Sequence, residues 1–169
     1  MRLMQACARA GDPVACFMVA LWYRKGEGAP ASLAQSARWL ERREELAEQG
    51  DAEAQYELGM DHRFGNLVPL NIARANYWLE RAADAGWGEA QHHLAWYFET
   101  GQYDYPQDSG EAEAWYRRAL EQEHPETLYL CGIRAFEDGQ PTEEAVRLLR
   151  KAADRGFTEA ERVLRSTTH

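Results

Sequence analysis

The residues with reactive side chains in this 169-residue chain are scattered rather than gathered. His92 and His93 are adjacent, and neighbours on a helix point about 100° apart, a poor geometry for closing on one metal ion. His92 also stands where the other copies of an internal repeat carry Phe17, Tyr56 and Tyr129, which makes it a packing residue. His62 shares a core-facing place with Tyr23 and Phe98 and reads as a satisfied, half-buried side chain. His124 opens a helix and His169 ends the chain, neither with a visible partner. Glu41, Glu44, Glu45 and Glu48 read as a solvated helix face, because nothing apolar is placed among them to raise a pKa. There is no Ser-centred nucleophile elbow, no phosphate-binding loop and no dinucleotide fingerprint; "GEG" at Gly26–Gly28 lacks a preceding strand and is a turn. No catalytic residue, metal or cofactor is expected.

Three cysteines make neither a disulfide framework nor a Cys-x-x-Cys pair. Cys7 and Cys16 flank the turn "ARAGDPVA" and would meet if it joins two antiparallel helices, either as a disulfide or as two reduced core thiols. The net charge of −9 argues against a nucleic-acid partner, whose phosphates demand a basic surface. It suits a basic protein partner or simple solubility. No apolar run approaches the roughly 20 residues of a membrane span. "MRLMQACARAGD" shows no secretion signal, so the chain as given reads as cytoplasmic, or periplasmic if a signal has been removed. The basic residues are nearly all Arg, which with the many Ala suggests a GC-rich bacterial genome.

Most of these residues sit on an internal repeat. "GDAEAQYELG" at Gly50 returns as "GWGEAQHHLA" at Gly86, and more faintly as "GDPVACFMVA" from Gly11 and "HPETLYLCG" from His124. Gly11, Gly50, Gly86, Glu123 and Gly156 stand 39, 36, 37 and 33 residues apart, periods that mean stacked helical hairpins. Each repeat reads as helix A, loop, helix B: residues 11–49, 50–85, 86–123 and 124–155, with a capping helix in 156–169. In the second, Ala54, Leu58 and His62 form the stripe of helix A, and Ala75, Trp78, Ala82 and Ala83 that of helix B. Helix A of the fourth is expected over Pro125–Asp138, and its helix B begins at Pro141. Ala20, Gly59, Ala95 and Gly132 hold equivalent places where helices approach closely; Trp39, Trp78, Trp115 and Leu148 hold equivalent places in helix B and supply core.

"AEAQYELG", "ANYWLERAADAG", "AEAWYRRAL" and "VRLLRKAADRGFTEAE" resemble Sel1-like repeats, a branch of the tetratricopeptide-like αα-hairpin superfamily. The resemblance implies an all-α, right-handed αα-hairpin solenoid acting as an adaptor or scaffold for other proteins. Some bacterial members act in virulence, signalling or peptidoglycan-related processes, and some are immunity proteins that neutralise a toxin. The family has no shared catalytic residue. "ACARAGDPVAC" also resembles the cysteine-rich branch, where a disulfide staples adjacent helices.

Comparison of the repeats locates a candidate surface. Two sets of equivalent helix-A places do not keep their chemical type: Trp22, Asp61, Tyr97 and Arg134, flanked by Met18, Glu57, His93 and Leu130. Paired members are i and i+4, hence on one face, and helix A lines the concave surface in this superfamily. Trp, Tyr and Arg dominate interface hot spots, and the alternative is that Trp22 and Tyr97 pack against the next repeat. Tyr103 and Tyr105 in the loop "GQYDYPQDSG" either contact a partner or fold back over their hairpin. Two function classes follow. One is a scaffold for another protein, such as a secreted toxin or an envelope or regulatory protein. The other is a module for a small ligand or peptidoglycan that uses exposed aromatics.

Overall fold

The computed structural model describes residues 2–137 and 140–167. These form ten helices: α1 (Arg2–Ala10), α2 (Pro13–Lys25), α3 (Leu33–Glu48), α4 (Ala52–Phe64), α5 (Ile72–Asp84), α6 (Gly88–Thr100), α7 (Ser109–Glu121), α8 (Pro125–Arg134), α9 (Glu143–Asp154) and α10 (Thr158–Thr167). The expected helical hairpins are α2/α3, α4/α5, α6/α7 and α8/α9, with α10 against α9. The chain divides into two compact units, one ending at Trp87 and the other beginning at Gly88.

The same turn recurs at every joint. Gly11, Gly50, Gly86, Glu123 and Gly156 all adopt positive φ. At each, two amides return to the preceding helix, as Gly50 N donates to Ala47 O and Asp51 N to Leu46 O. That paired pattern satisfies carbonyls a helix end would leave bare. Glu123 is the exception in residue type, at φ 52°, and its carboxylate is held by Lys151 at 2.8 Å and by Arg155. Helix starts are capped just as regularly. Asp12, Asp51, Ser32, Asn71, Asp108 and Thr142 each accept an amide hydrogen bond from the first turn.

Close approach explains two of the small residues. A Cβ at Gly59 would stand 3.1 Å from the Ala75 carbonyl and 3.3 Å from the Leu79 amide. One at Gly132 would stand 2.9 Å from Leu149 Cγ. The N-terminal core joins Val19, Leu46, Leu58 and Trp78, with Trp39 half-buried at its edge. The C-terminal core is built on Leu128, Leu148, Leu149, Ala152 and Ala160. Cys7 and Cys16 are free thiols; Cys16 is buried, its thiol 3.6 Å from the Ala8 carbonyl oxygen it donates to.

Three local expectations are corrected. Helix A of the fourth repeat stops at Arg134, and Phe136–Glu137 (β1) pairs antiparallel with Gln140–Pro141 (β2); the expected end, Asp138, lies outside the described residues. Pro141 does not begin helix B, which starts at Glu143, because Thr142 supplies the cap. The Thr142 hydroxyl also donates to the Ala135 carbonyl, tying the short helix to the next. Trp115, like Trp39, is only half-buried where Trp78 and Leu148 are buried, and its ring lies 4.4 Å from the Arg118 guanidinium.

Candidate functional site

Helix A of each repeat presents the expected variable places, and the structure sorts them unequally. In the N-terminal unit, α2 carries Met18 and Trp22, both half-buried, with Trp22 packed against the core. On α4, Glu57 is half-buried and Asp61 is buried. Variation between repeats predicts that Asp61 is released from packing; instead it is locked by Arg43 of α3, itself 1% exposed. The Arg43 guanidinium donates to Asp61 and, at 2.7 Å, to Glu57, and lies 5.1 Å from the Phe17 ring centroid. Burial pushes the Asp61 carboxyl up to about 7; the Arg43 charge pulls against that and the Glu57 charge adds to it. Beside this network lies a cavity of about 260 Å³ lined by Arg43, Asp61, His62 and Pro69. His62 is buried, its Nδ1 3.2 Å from the Pro69 carbonyl oxygen, which satisfies it as a core histidine.

In the C-terminal unit, the same reasoning places Tyr97 on the surface, yet it is 3% exposed. It is covered by its own hairpin loop: Tyr103 packs edge-on at 4.9 Å and Tyr105 stacks at 5.8 Å, while His93 stacks at 5.9 Å. Tyr105 is buried against Phe98, and Tyr103 is half-buried, so the loop folds back. Tyr103 and Asp104 hold φ of 56° and 67°, a left-handed pair of non-glycine residues that the ring stack holds in place.

The places that remain accessible surround a groove of about 350 Å³ between α6 and α8. Trp96, 36% exposed, Tyr129 and Leu130 give it apolar walls; Glu99, Glu126 and Arg134 give it charge. Arg134 donates to Glu99 at 2.6 Å and lies over the Tyr116 ring at 5.1 Å, while the Tyr116 hydroxyl donates to Glu99 at 2.8 Å. Burial lifts the Glu99 carboxyl, but the bonds from Arg134 and Tyr116 outweigh it and hold Glu99 below the usual range. Burial, reinforced by the Glu99 carboxylate, raises the Tyr116 phenol.

At one end of the groove His92 meets the fourth repeat. Its Nδ1 lies 2.9 Å from the Thr127 hydroxyl, which lies 3.1 Å from His124 Nδ1. The two rings are 5.1 Å apart. His124 thus has a partner that its sequence position did not reveal; His169 lies outside the described residues. Among the described residues no group of three His, Cys, Asp or Glu side chains could hold a metal ion. No described helix is long and apolar enough to cross a membrane.

Arg43, Trp96, Glu99, Tyr116 and Thr127 carry this geometry and do not stand out in the sequence as site residues. Two had a signal. Arg43 follows Trp39 by one turn, on the same helix side. Thr127 replaces the alanine found at Ala15, Ala54 and Ala90 in the other repeats.

Comparison with known proteins agrees with this architecture. A family model described as Sel1 repeat matches residues 13–42, 52–87, 88–124 and 125–157. The chain is similar to the crystal structure of a Sel1 repeat protein from Oxalobacter formigenes, with 31% identity and a TM-score of 0.70, over 96% of this chain and 47% of that one. It is also similar to a protective antigen present in uropathogenic Escherichia coli strains, described as displaying an SLR fold. That match has 26% identity and a TM-score of 0.62, over 93% of this chain and 33% of the other. The chain therefore spans about half and about a third of the lengths of these two proteins. No curated protein matches it. The fold is the αα-hairpin solenoid expected of such repeats.

Proposed function

The chain belongs to the Sel1 repeat family, and from that we propose that it is a non-catalytic scaffold that captures one protein on the helix-A faces of its repeats. Proteins of this family generally act as protein–protein interaction scaffolds. The observation that carries the specific reading is the α6/α8 groove, where an exposed Trp96 and Leu130 stand beside the paired charges of Glu99 and Arg134. An aromatic anchor next to a fixed arginine is the composition of an interface hot spot. His93 beside the groove is a further contact proposed, and Met18 and Trp22 on α2 are proposed as a contact of the N-terminal unit by itself. In the N-terminal unit Asp61 and Glu57 hold Arg43, and in the C-terminal unit Tyr103 and Tyr105 brace Tyr97 on α6. The form of scaffold we favour is bacterial, an immunity protein that neutralises a toxin or a regulatory protein.

The test is capture by the immobilised full chain, wild type against the Trp96→Ala, Leu130→Ala double variant. A stoichiometric protein retained by the wild type and lost by an equally stable double variant supports the proposal. Retention by both discards the groove. Binding of purified peptidoglycan alone, lost on the same substitutions, transfers the surface to a glycan-binding module.

A further inference from the structure

Thr127 is fully buried, and its single hydroxyl stands between two imidazole nitrogens. A hydroxyl carries one proton, so with both rings neutral it donates to one Nδ1 and accepts from the other. The two histidines must then hold opposite tautomers. Glu126 lies 4.0 Å from His124 Nε2 and favours a proton there. That assigns His124 as Nε2–H, its Nδ1 accepting from Thr127, and His92 as Nδ1–H, donating to it. We propose that His92, Thr127 and His124 form an acid-sensitive clasp between the third and fourth repeats, closed at neutral pH and opened by acidification. Its effect on partner capture rests on the groove proposed above, which His92 lines.

Either new proton conflicts with the clasp. One on His124 Nδ1 sets two N–H groups against the same oxygen and turns the hydroxyl proton away. One on His92 Nε2 places a cation in a partly dehydrated site. The groups facing the pair are His93 and Glu99 on α6, Tyr116 on α7, and Glu126 and Arg134 on α8. Glu99 and Glu126 favour the proton, but Glu99 is already committed to Arg134 and Tyr116. Arg134, His93 and the second imidazole oppose it. Both histidines are driven down to about 4, His124 by burial, His92 by burial first and then by its cationic neighbours. The unfolded chain, with histidines near 6.5, therefore binds more protons than the native one between about pH 4 and 6.5. Stability is whole above that window and lost as pH falls through it. Allowing for residual water access to both rings, with the His124 side chain 12% exposed, the unfolding constant should rise about tenfold per histidine by pH 5.

The experiment uses the full chain. Imidazole nitrogen NMR at pH 7 should show His92 as Nδ1–H and His124 as Nε2–H, both still neutral at pH 5.5. Matching tautomers at His92 and His124, or titration of both near 6.5, overturns the clasp without any variant. Urea unfolding at pH 7 and pH 5 then compares the wild type with His92→Phe, which carries the ring of Phe17, and Thr127→Ala, which carries the residue of the other repeats. The wild type should lose at least tenfold more than His92→Phe over that interval; equal losses overturn it. If the phenylalanine variant does not fold, Thr127→Ala replaces it: His124 should titrate closer to 6.5 in that variant, and an unchanged His124 titration overturns the clasp. Capture at pH 4, where the folded chain begins to charge these histidines, that equals capture at pH 7 overturns the regulatory consequence, independently of whether the groove binds at pH 7.

Discussion

Arg43→Met keeps most of an apolar stem and removes the cation between Glu57 and Asp61. Glu57 is about a third exposed and can turn to water, so its loss is small. The Asp61 side chain is 5% exposed and cannot. Removing one member of a buried ion pair costs about 3–5 kcal/mol, because the survivor keeps a desolvated charge. Asp61 has an escape, since burial already pushes it up to about 7 with Arg43 present. Without the guanidinium it takes a proton more readily still, and the cost falls by about 1.4 kcal/mol for each pH unit below its new pKa. Arg43→Met should therefore lose about 3–5 kcal/mol at pH 9 and much less at pH 6. In the wild type the native state binds the extra proton between the ordinary aspartate value of 3.8 and about 7, so this contribution is present below that window and lost as pH rises through it. Asp61→Asn keeps an acceptor for Arg43 without the charge and should stay within about 1 kcal/mol at pH 7 while flattening that slope. The assay is urea unfolding followed by far-UV circular dichroism. A loss under about 1 kcal/mol at pH 9, or equal losses at pH 6 and pH 9, would mean that Asp61 is not the stranded charge.

Gly59→Ala sets a methyl group against backbone atoms of α5 that cannot rotate away, and should cost about 1–2 kcal/mol by the same urea assay despite the better helix propensity of alanine. Glu123→Gly should raise the thermal midpoint, because the left-handed turn then costs nothing and the ion pairs it gives up are solvent-screened. Tyr97→Ala should cost about 3 kcal/mol or more as the ring stack collapses, whereas Trp96→Ala should stay within about 1 kcal/mol; reversed values would exchange their roles. Burial raises the Cys16 thiol, partly offset by Arg43, so under native conditions iodoacetamide should label Cys7 first and Cys16 only on unfolding, read by peptide mass.

The repeat frame is legible because it is local. The same turn needs a residue that tolerates positive φ and the same cap needs a short polar side chain, so spacing alone places nearly every helix. The longer first repeat, 39 residues against 36 for the second, is accommodated in helix B, with 16 residues in α3 against 13 in α5 and α7. Burial at the variable places is not legible. Tyr97 and Asp61 look free because their equivalents differ in type, yet each is held by a side chain from another element: a loop tyrosine in one case, Arg43 in the other. Variation between repeats signals release from packing only when no new partner has arisen with it. The early end of α8 is hidden from periodicity because Phe136–Glu137 pairs with Gln140–Pro141, and the start of α9 because Thr142, not Pro141, wins the cap through a hydrogen bond.

Arg43 also bears on how such an array can be rebuilt. The cation belongs to the first repeat and its two carboxylates to the second. Transplanting either hairpin alone would strand an ion in a dry seam. Any exchange of modules at this junction must move donor and acceptors together, so the order of these hairpins is written into their charges as well as their shapes.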